Sequence, residues 1–596
     1  MRRLLALFIA LTFTAGNAAA QDSARRHAIA MHGAPALAEG YAHFPSVEPN
    51  APKGGTLTLS VLGGYDSLNP LIVRGTPARG VRDHVFESLM IRGADEPFTL
   101  YGLIAGSVEM PDDRSSVTFY LRSEARFSDG KPIRPADVIF SWKLLRDHGR
   151  PNTRTYYAKV ERAVEVEPNA VRFEFNSERD REMPLIMGLM PILPEHATEP
   201  ATFEQTTLTP LIGSGPYRFG ELRPGSRVTF ERDPDYWGKD MPFNVGRNNF
   251  DRVVYDYFRD ETSLFEAFNK GLVDLVVDED PTRWAQGYGN ESAGDIIRET
   301  LPLGTPRPLS ALVFNTRRPP FDDIRVRQAL IEIFDAQWTN KTLYAGLFGR
   351  TEGYFDGSEL SSIGRPADPT EKALLGQRAA MLPSDIMDGT FHQPATDGSG
   401  RNRQSQRAAM EKLSQAGFRI SDGVMRDRTG KPLAFQILVT TREQERLALT
   451  YAGMLKRAGI GLSVRSVDAT QFEQRRQTYD FDMLPFVWTQ SLSPGNEQAF
   501  YWSSEAATTD GTRNYPGIRD ADVDRMIGEI VAARDRERFV AAVRALDRLL
   551  VAGHYLIPLY HIPGQWIARW TRIERPEMIP LNGLTIDRLW HGKATR

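Results

Sequence analysis

The chain reads as an α/β protein of more than one domain. Three observations carry that reading. Val117, Phe119 and Leu121 alternate with Thr118, Tyr120 and Arg122, and Val171, Phe173 and Phe175 alternate with Arg172 and Glu174; a period of two marks half-buried strands. Phe539, Val543, Leu546 and Leu550 recur at helical spacing with Arg544, Asp547 and Arg548 between them, the pattern of a helix whose apolar face turns inward. The 596 residues exceed what one hydrophobic core usually serves.

From the N-terminus, Met1-Arg2-Arg3 supplies positive charge, Leu4 to Phe13 is an apolar run, and Ala18-Ala19-Ala20 is a small-residue cleavage pattern. This is the layout of a secretory signal peptide over 1–20, with the mature chain starting near Gln21. The apolar run is about half the roughly 20 residues of a spanning helix, so an uncleaved anchor is the weaker reading. No later run is comparably long and apolar. Cysteine is absent, which removes disulfides, thiol nucleophiles, thiolate metal sites and a lipid anchor at the cleavage site. A secreted, unanchored chain is expected in the periplasm of a two-membrane bacterium. Lys+Arg 73 against Asp+Glu 76 leaves no basic field for a nucleic-acid partner.

Phe127-Ser-Asp-Gly-Lys-Pro132 reads as a turn, with Gly supplying the geometry and Pro fixing φ. Asp137 is placed to begin a helix that buries Val138, Ile139 and Phe140, and Asp233-Pro234-Asp235-Tyr236-Trp237 reads as a packed corner. From about 349 to 405 the chain is rich in Gly, Pro, Ser and Asp, as in Asp356-Gly357-Ser358. It is expected to be a long surface excursion with short helices. No fixed-period repeat or coiled-coil heptad occurs.

Catalytic signatures are missing. The ten histidines include no His-Glu-x-x-His pair, and no phosphate-cradling Gly-x-x-x-x-Gly-Lys-Ser/Thr loop occurs. Gly213-Ser214-Gly215 imitates a nucleophile elbow, but Ile212 and Pro216 stand where that turn needs glycine. With 76 acidic residues, a carboxylate pair facing one cleft is left open by spacing. No catalytic residue, metal ligand or cofactor is assigned.

Four segments in order carry a resemblance. They are Ser116-Val-Thr-Phe-Tyr-Leu-Arg122 with Phe127 to Pro132 and Ala136-Asp-Val-Ile-Phe-Ser141; Gly213-Ser-Gly-Pro-Tyr-Arg-Phe219 with Glu231-Arg-Asp-Pro-Asp-Tyr-Trp-Gly238; Phe314-Asn-Thr-Arg-Arg-Pro-Pro-Phe-Asp-Asp-Ile-Arg-Val-Arg-Gln-Ala-Leu330; and Ile557-Pro-Leu-Tyr560. Together the chain resembles the family 5 extracellular solute-binding proteins, the oligopeptide, dipeptide and nickel receptors of ATP-driven importers. Gly353-Tyr354-Phe355, Ser358-Glu359-Leu360, Ala373-Leu374-Leu375, Thr396-Asp397-Gly398-Ser399-Gly400 and Ser491-Leu-Ser-Pro-Gly-Asn-Glu-Gln498 are similar to its YejA-like branch. That branch is associated with import of microcin C-type and cell-wall peptides.

The resemblance implies a two-lobed periplasmic-binding-protein fold of the large cluster C type, with mixed sheets and a hinge. Lobe I is then expected over 21–308 with an inserted subdomain at about 90–200, lobe II over 309–552, and a return to lobe I over 553–596. The family's ligand-backbone contact falls at Thr76. Oligopeptide receptors carry an acid where this chain has Arg74, and an aspartate for the ligand's amino terminus where it has Ser491. Trp488 and Gln490 belong to the same strand end, and Tyr560 and His561 to the second hinge crossing. Arginine offers a planar fork for carboxylate or phosphate, so an anionic or modified peptide is expected; Arg74 paired with a protein carboxylate is the competing reading. The expected function is capture without catalysis, by a monomer, for an ABC importer's inner-membrane permease with cytoplasmic ATPase subunits. A hydrolase acting on peptide or cell wall, a metal-chelate receptor and a periplasmic chaperone or signalling adaptor using the same cleft are the alternatives.

Overall fold

The computed structural model describes residues 24–176, 180–288 and 294–592; the signal peptide expected over 1–20 lies outside them. Two mixed sheets form the centres of two lobes. In lobe I, seven strands run in the order Ile296–Leu301, Gln565–Trp570, Leu275–Asp278, Thr56–Leu62, Arg252–Phe258, Arg227–Arg232 and Tyr217–Arg223. Thr56–Leu62 is parallel to Arg252–Phe258 and to Leu275–Asp278, so three C-terminal ends emerge on one side of the sheet. In lobe II, five strands run in the order Gly461–Ser466, Ala434–Val439, Met483–Trp488, Leu309–Phe314 and Leu556–Pro558. The chain passes between the two sheets at 302–308 and again at 559–564.

The alternating segments are strands and pair with each other. Val117 faces Phe173 and Phe119 faces Val171 in a four-stranded antiparallel sheet with Ala105–Glu109 and Val160–Glu167. Their inward residues are buried, as a period of two requires. Asp137 lies inside the helix Pro135–His148 rather than before it, and its carboxylate accepts from the Arg134 and Glu195 N–H groups. The Arg536–Ala552 helix buries Phe539, Val543, Leu546 and Leu550.

Residues 349–405 carry short helices as expected, Pro369–Leu375 and Ser384–Met387, but part of the segment is interior rather than surface. Tyr354, Phe355, Leu360, Leu374, Leu375 and Ile386 enter the core of lobe II. The polar residues of the Arg536–Ala552 helix hold this irregular backbone. Buried Asp547 accepts from Tyr354 N at 2.8 Å, Ser362 N at 2.8 Å and Ser362 Oγ at 2.8 Å. Arg548 pairs with Glu371 at 2.7 Å, both fully buried, and donates to Arg365 O at 2.7 Å. A glycine- and proline-rich segment can be interior when such partners satisfy its peptide groups. Among the described residues no helix is long and apolar enough to cross a membrane.

Candidate functional site

The main cavity, about 910 Å³, opens at the C-terminal strand ends of lobe I. Ser60, Val61 and Leu62 line it from the first parallel strand, Val277 from the end of another, Arg283 from the short helix Pro281–Gln286 that follows it, and Gln565 from the strand that returns from lobe II. It then runs inward past Arg79, Arg82, His84 and Glu87 to Arg247 and Asp587. Its size lies toward the upper end of the roughly 300–1,000 Å³ typical of small-molecule sites.

Most charges in this cavity are already matched. Arg247 meets Asp587 at 2.6 Å and Arg283 meets Asp278 at 2.6 Å. Burial raises Asp587, but Arg247 and Arg588 overcome it and hold the carboxyl well below the usual range. Burial pushes Glu87 up to about 7, against hydrogen bonds donated by Tyr236 and Trp237; Trp237 Nε1 lies 2.9 Å away. The packed corner at 233–237 is thus what clamps this carboxyl. Burial likewise pushes His84 down to about 4, and its Nε2 sits 3.0 Å from the Tyr255 hydroxyl.

Two cations are unmatched. Arg82 donates to Phe86 O at 3.2 Å and Leu189 O at 3.3 Å, both carbonyls, and burial lowers it despite adjacent Asp83. Arg79 is exposed, and among the described residues it makes no ion pair.

None of the sequence-predicted residues is among those that line this cavity. Arg74 is exposed and has no carboxylate partner among the described residues, so the competing ion-pair reading has no support. It stands on a rigid turn: Gly75 has φ +76, and a Cβ there would meet Thr206 Cγ2 at 2.5 Å and Asp66 Oδ1 at 2.6 Å. Thr76 is exposed, with its N–H donating to Asp66 Oδ1 at 2.5 Å. On lobe II, Trp488 faces Leu309 across the strand pair, next to the first crossing. It is fully buried among Phe486, Trp502 and Tyr515. Gln490 is also buried and accepts from Gln498 Nε2 at 2.7 Å. Trp488 Nε1 and Gln490 Nε2 are buried donors without a partner. Ser491 is exposed. Tyr560 and His561 instead pair with Arg350 and Gly349. Tyr560 donates to Ala336 O at 2.7 Å, and His561 Nδ1 lies 3.0 Å from Thr351 Oγ1. Both belong to the crossing.

Aromatic rings bridge the same crossing. Trp284 stacks on Trp566 at 5.3 Å and 1°, Trp566 on Phe348 at 5.9 Å, and Phe348 on Tyr344 at 5.1 Å. The lobes also touch away from it. Asn496 Nδ2 donates to Asp180 Oδ1 at 3.1 Å, the Gly33 N–H donates to Arg534 O at 3.3 Å, and His32 stacks on Phe539 at 3.9 Å. Glu182 lies against Gly495. Burial, then Glu497 and Asp180, push its carboxyl up to about 7.

Arg79, Arg82, His84 and Glu87 were missed in the sequence. Their only signal was a run of titratable residues interleaved with apolar ones, Arg79 to Met90. Arg247, Arg283 and Asp587 join them only through the sheet order, from positions far apart in the chain.

The family model described as "Bacterial extracellular solute-binding proteins, family 5 Middle" matches residues 99–510. The peptidoglycan-binding protein YepA of Agrobacterium fabrum is 44% identical over 617 residues, covering 100% of each chain. YejA of Escherichia coli K12 is 34% identical over 595 residues, covering 99% of this chain and 97% of that one. Among solved structures, NikA from Brucella suis in complex with Fe(III)-EDTA superposes with a TM-score of 0.67 at 19% identity, covering 90% of this chain and 100% of that one.

Proposed function

Because this chain belongs to the family 5 bacterial extracellular solute-binding proteins, in their YejA-like branch, we propose that it captures an anionic or modified peptide between its lobes. It hands that solute intact to an inner-membrane permease with cytoplasmic ATPase subunits. The observation that carries this reading is the 910 Å³ cavity at the strand ends of lobe I, where Arg79 and Arg82 make no ion pair among the described residues and Asp83 is the carboxylate beside them. Arg74 adds a third free cation on the neighbouring turn. A carboxylate on the ligand gains from such arginines because its fork is matched. The naming of YepA as peptidoglycan-binding supports an acidic cell-wall peptide as the solute.

In this reading Arg74, Thr76 and Ser491 meet the ligand from the exposed rims. Buried Trp488 and Gln490 hold the strand end that carries Ser491, through Trp502 and Gln498. Tyr560 and His561 act at the hinge. The lobes turn about the crossings at 302–308 and 559–564, and closure follows from tighter binding in the closed state. The protein works as a periplasmic monomer after loss of residues 1–20, and it does no chemistry on its cargo. A second reading, an anionic metal chelate as cargo, rests on the same arginines and on the fold shared with NikA.

Native mass spectrometry of mature protein identifies what co-purifies. Calorimetry then compares an acidic cell-wall tripeptide, its amidated neutral form and Fe(III)-EDTA. Tight binding of the acidic peptide alone is expected. Equal binding of the neutral form sinks the charge reading, preference for the chelate selects the second one, and cleavage of the peptide ends the non-catalytic one.

A further inference from the structure

A second cavity, of about 450 Å³, lies wholly within lobe II. The strand Leu309–Phe314 leads away from the first crossing toward it. Six strand residues at about 3.3 Å each place it about 20 Å from that crossing. It therefore sits at the pole of lobe II remote from the main cavity.

Three arginines line it: Arg317, Arg327 and Arg519. Arg317 donates to Ala507 O at 2.9 Å, Asn514 O at 2.8 Å and Tyr515 O at 3.1 Å. Buried Arg327 donates to Phe321 O at 2.6 Å, Gly553 O at 2.8 Å and His554 O at 3.1 Å. These partners are neutral carbonyls, so the bonds orient the guanidinium groups without cancelling their charge. Among the described residues none of the three has a carboxylate at ion-pair distance. Asp322, the cavity's one lining carboxylate, is exposed, and Asp520 is held by Arg378 at 3.4 Å. Burial pushes Arg317 down to about 10; Tyr479 and Asp510 oppose this and Arg519 adds to it. The segment Phe314 to Leu330, singled out in the sequence, supplies two of the three cations.

We propose that this cavity binds a small multivalent oxyanion, phosphate in its chemistry, independently of the interlobe site. Arg317 and Arg327 each give four of their five N–H groups to protein oxygens, Asn315 Oδ1 and Asp322 O included, so each offers a fixed positive charge and one N–H, and exposed Arg519 supplies the fork that a phosphate engages. Two sources share that chemistry, a free phosphate and a phospholipid headgroup.

The test uses the full mature chain, with inorganic phosphate in calorimetry and with vesicles of phosphatidylglycerol or phosphatidylcholine in flotation. Arg519→Glu is the main variant, because that side chain is exposed; Arg419→Glu, an exposed arginine of the same lobe outside both cavities, is the control. Phosphate is expected to bind the wild type, to bind Arg519→Glu about tenfold or more weakly, and to bind Arg419→Glu unchanged. Flotation with phosphatidylglycerol alone, abolished in Arg519→Glu, assigns the site to a headgroup; phosphate binding without flotation assigns it to a solute. Failure of the wild type to bind either probe overturns the proposal. So does equal binding by Arg519→Glu, or loss of binding in Arg419→Glu.

Discussion

Gly495→Ala is expected to hold the lobes apart. A Cβ at position 495 would overlap Glu182 Oε1 on the other lobe. Glu182 is half-buried and also accepts from the Asn496 backbone, beside Asp180 and Glu497, so swinging its carboxylate aside gives up that bond. Withdrawal of the 495–497 segment instead breaks the Asn496–Asp180 hydrogen bond of 3.1 Å, so either relief loses a charged hydrogen bond between the lobes. A hydrogen bond to a charged acceptor is worth about 1.5–3 kcal/mol, so the closing equilibrium falls by about 10- to 150-fold. If only the closed form retains ligand, the dissociation constant rises by the same factor. Calorimetry with a bound solute measures the loss, and small-angle scattering should show a ligand-saturated variant more extended than the wild type. Adding Glu182→Ala removes the obstructing carboxylate and should recover most of the affinity. Wild-type affinity in Gly495→Ala, or no recovery in the double variant, refutes the assignment of this contact to closure.

The pH dependence of stability should report Glu87. Its folded pKa near 7 lies above the ordinary 4.5, so the folded state holds the proton more tightly. Its contribution is complete below about pH 4.5 and is lost as pH rises to about 7, a fall of roughly 3 kcal/mol; denaturation of Glu87→Gln between pH 5 and 8 should lack this slope. Arg79→Ala should weaken an acidic peptide by about 1.5–3 kcal/mol and leave its amidated form unchanged, read by calorimetry. Asp547→Ala strands three donors within the lobe II core and should cost about 3–5 kcal/mol, seen as a lower urea midpoint.

Much of the fold was legible because it rests on local periodicity. Val117 to Leu121 and Val171 to Phe175 alternate with period two, and the sheet pairs them as that pattern requires. The helix Arg536–Ala552 follows its apolar stripe. The segment 349–405 misled, because glycine and proline signal irregular backbone rather than exposure. Asp547 and Arg548 give that backbone partners inside the core, and in the sequence they look like residues of a solvated helix face. Trp488 was legible as a strand end but not as a residue enclosed by Trp502 and Tyr515. Tyr560 and His561 sit at the crossing because they pair with residues more than two hundred positions earlier.

By itself the sequence determined the α/β class, the absence of thiol chemistry and the four segments that place the chain in its family. Those features depend on residue type and short spacing alone. Tertiary structure decided which charges remain unmatched. Arg247 finds Asp587, 340 positions along the chain, whereas Arg82 finds only carbonyls. Neutralisation acts over a few ångströms of space, and only the folded sheet brings groups hundreds of residues apart within that reach.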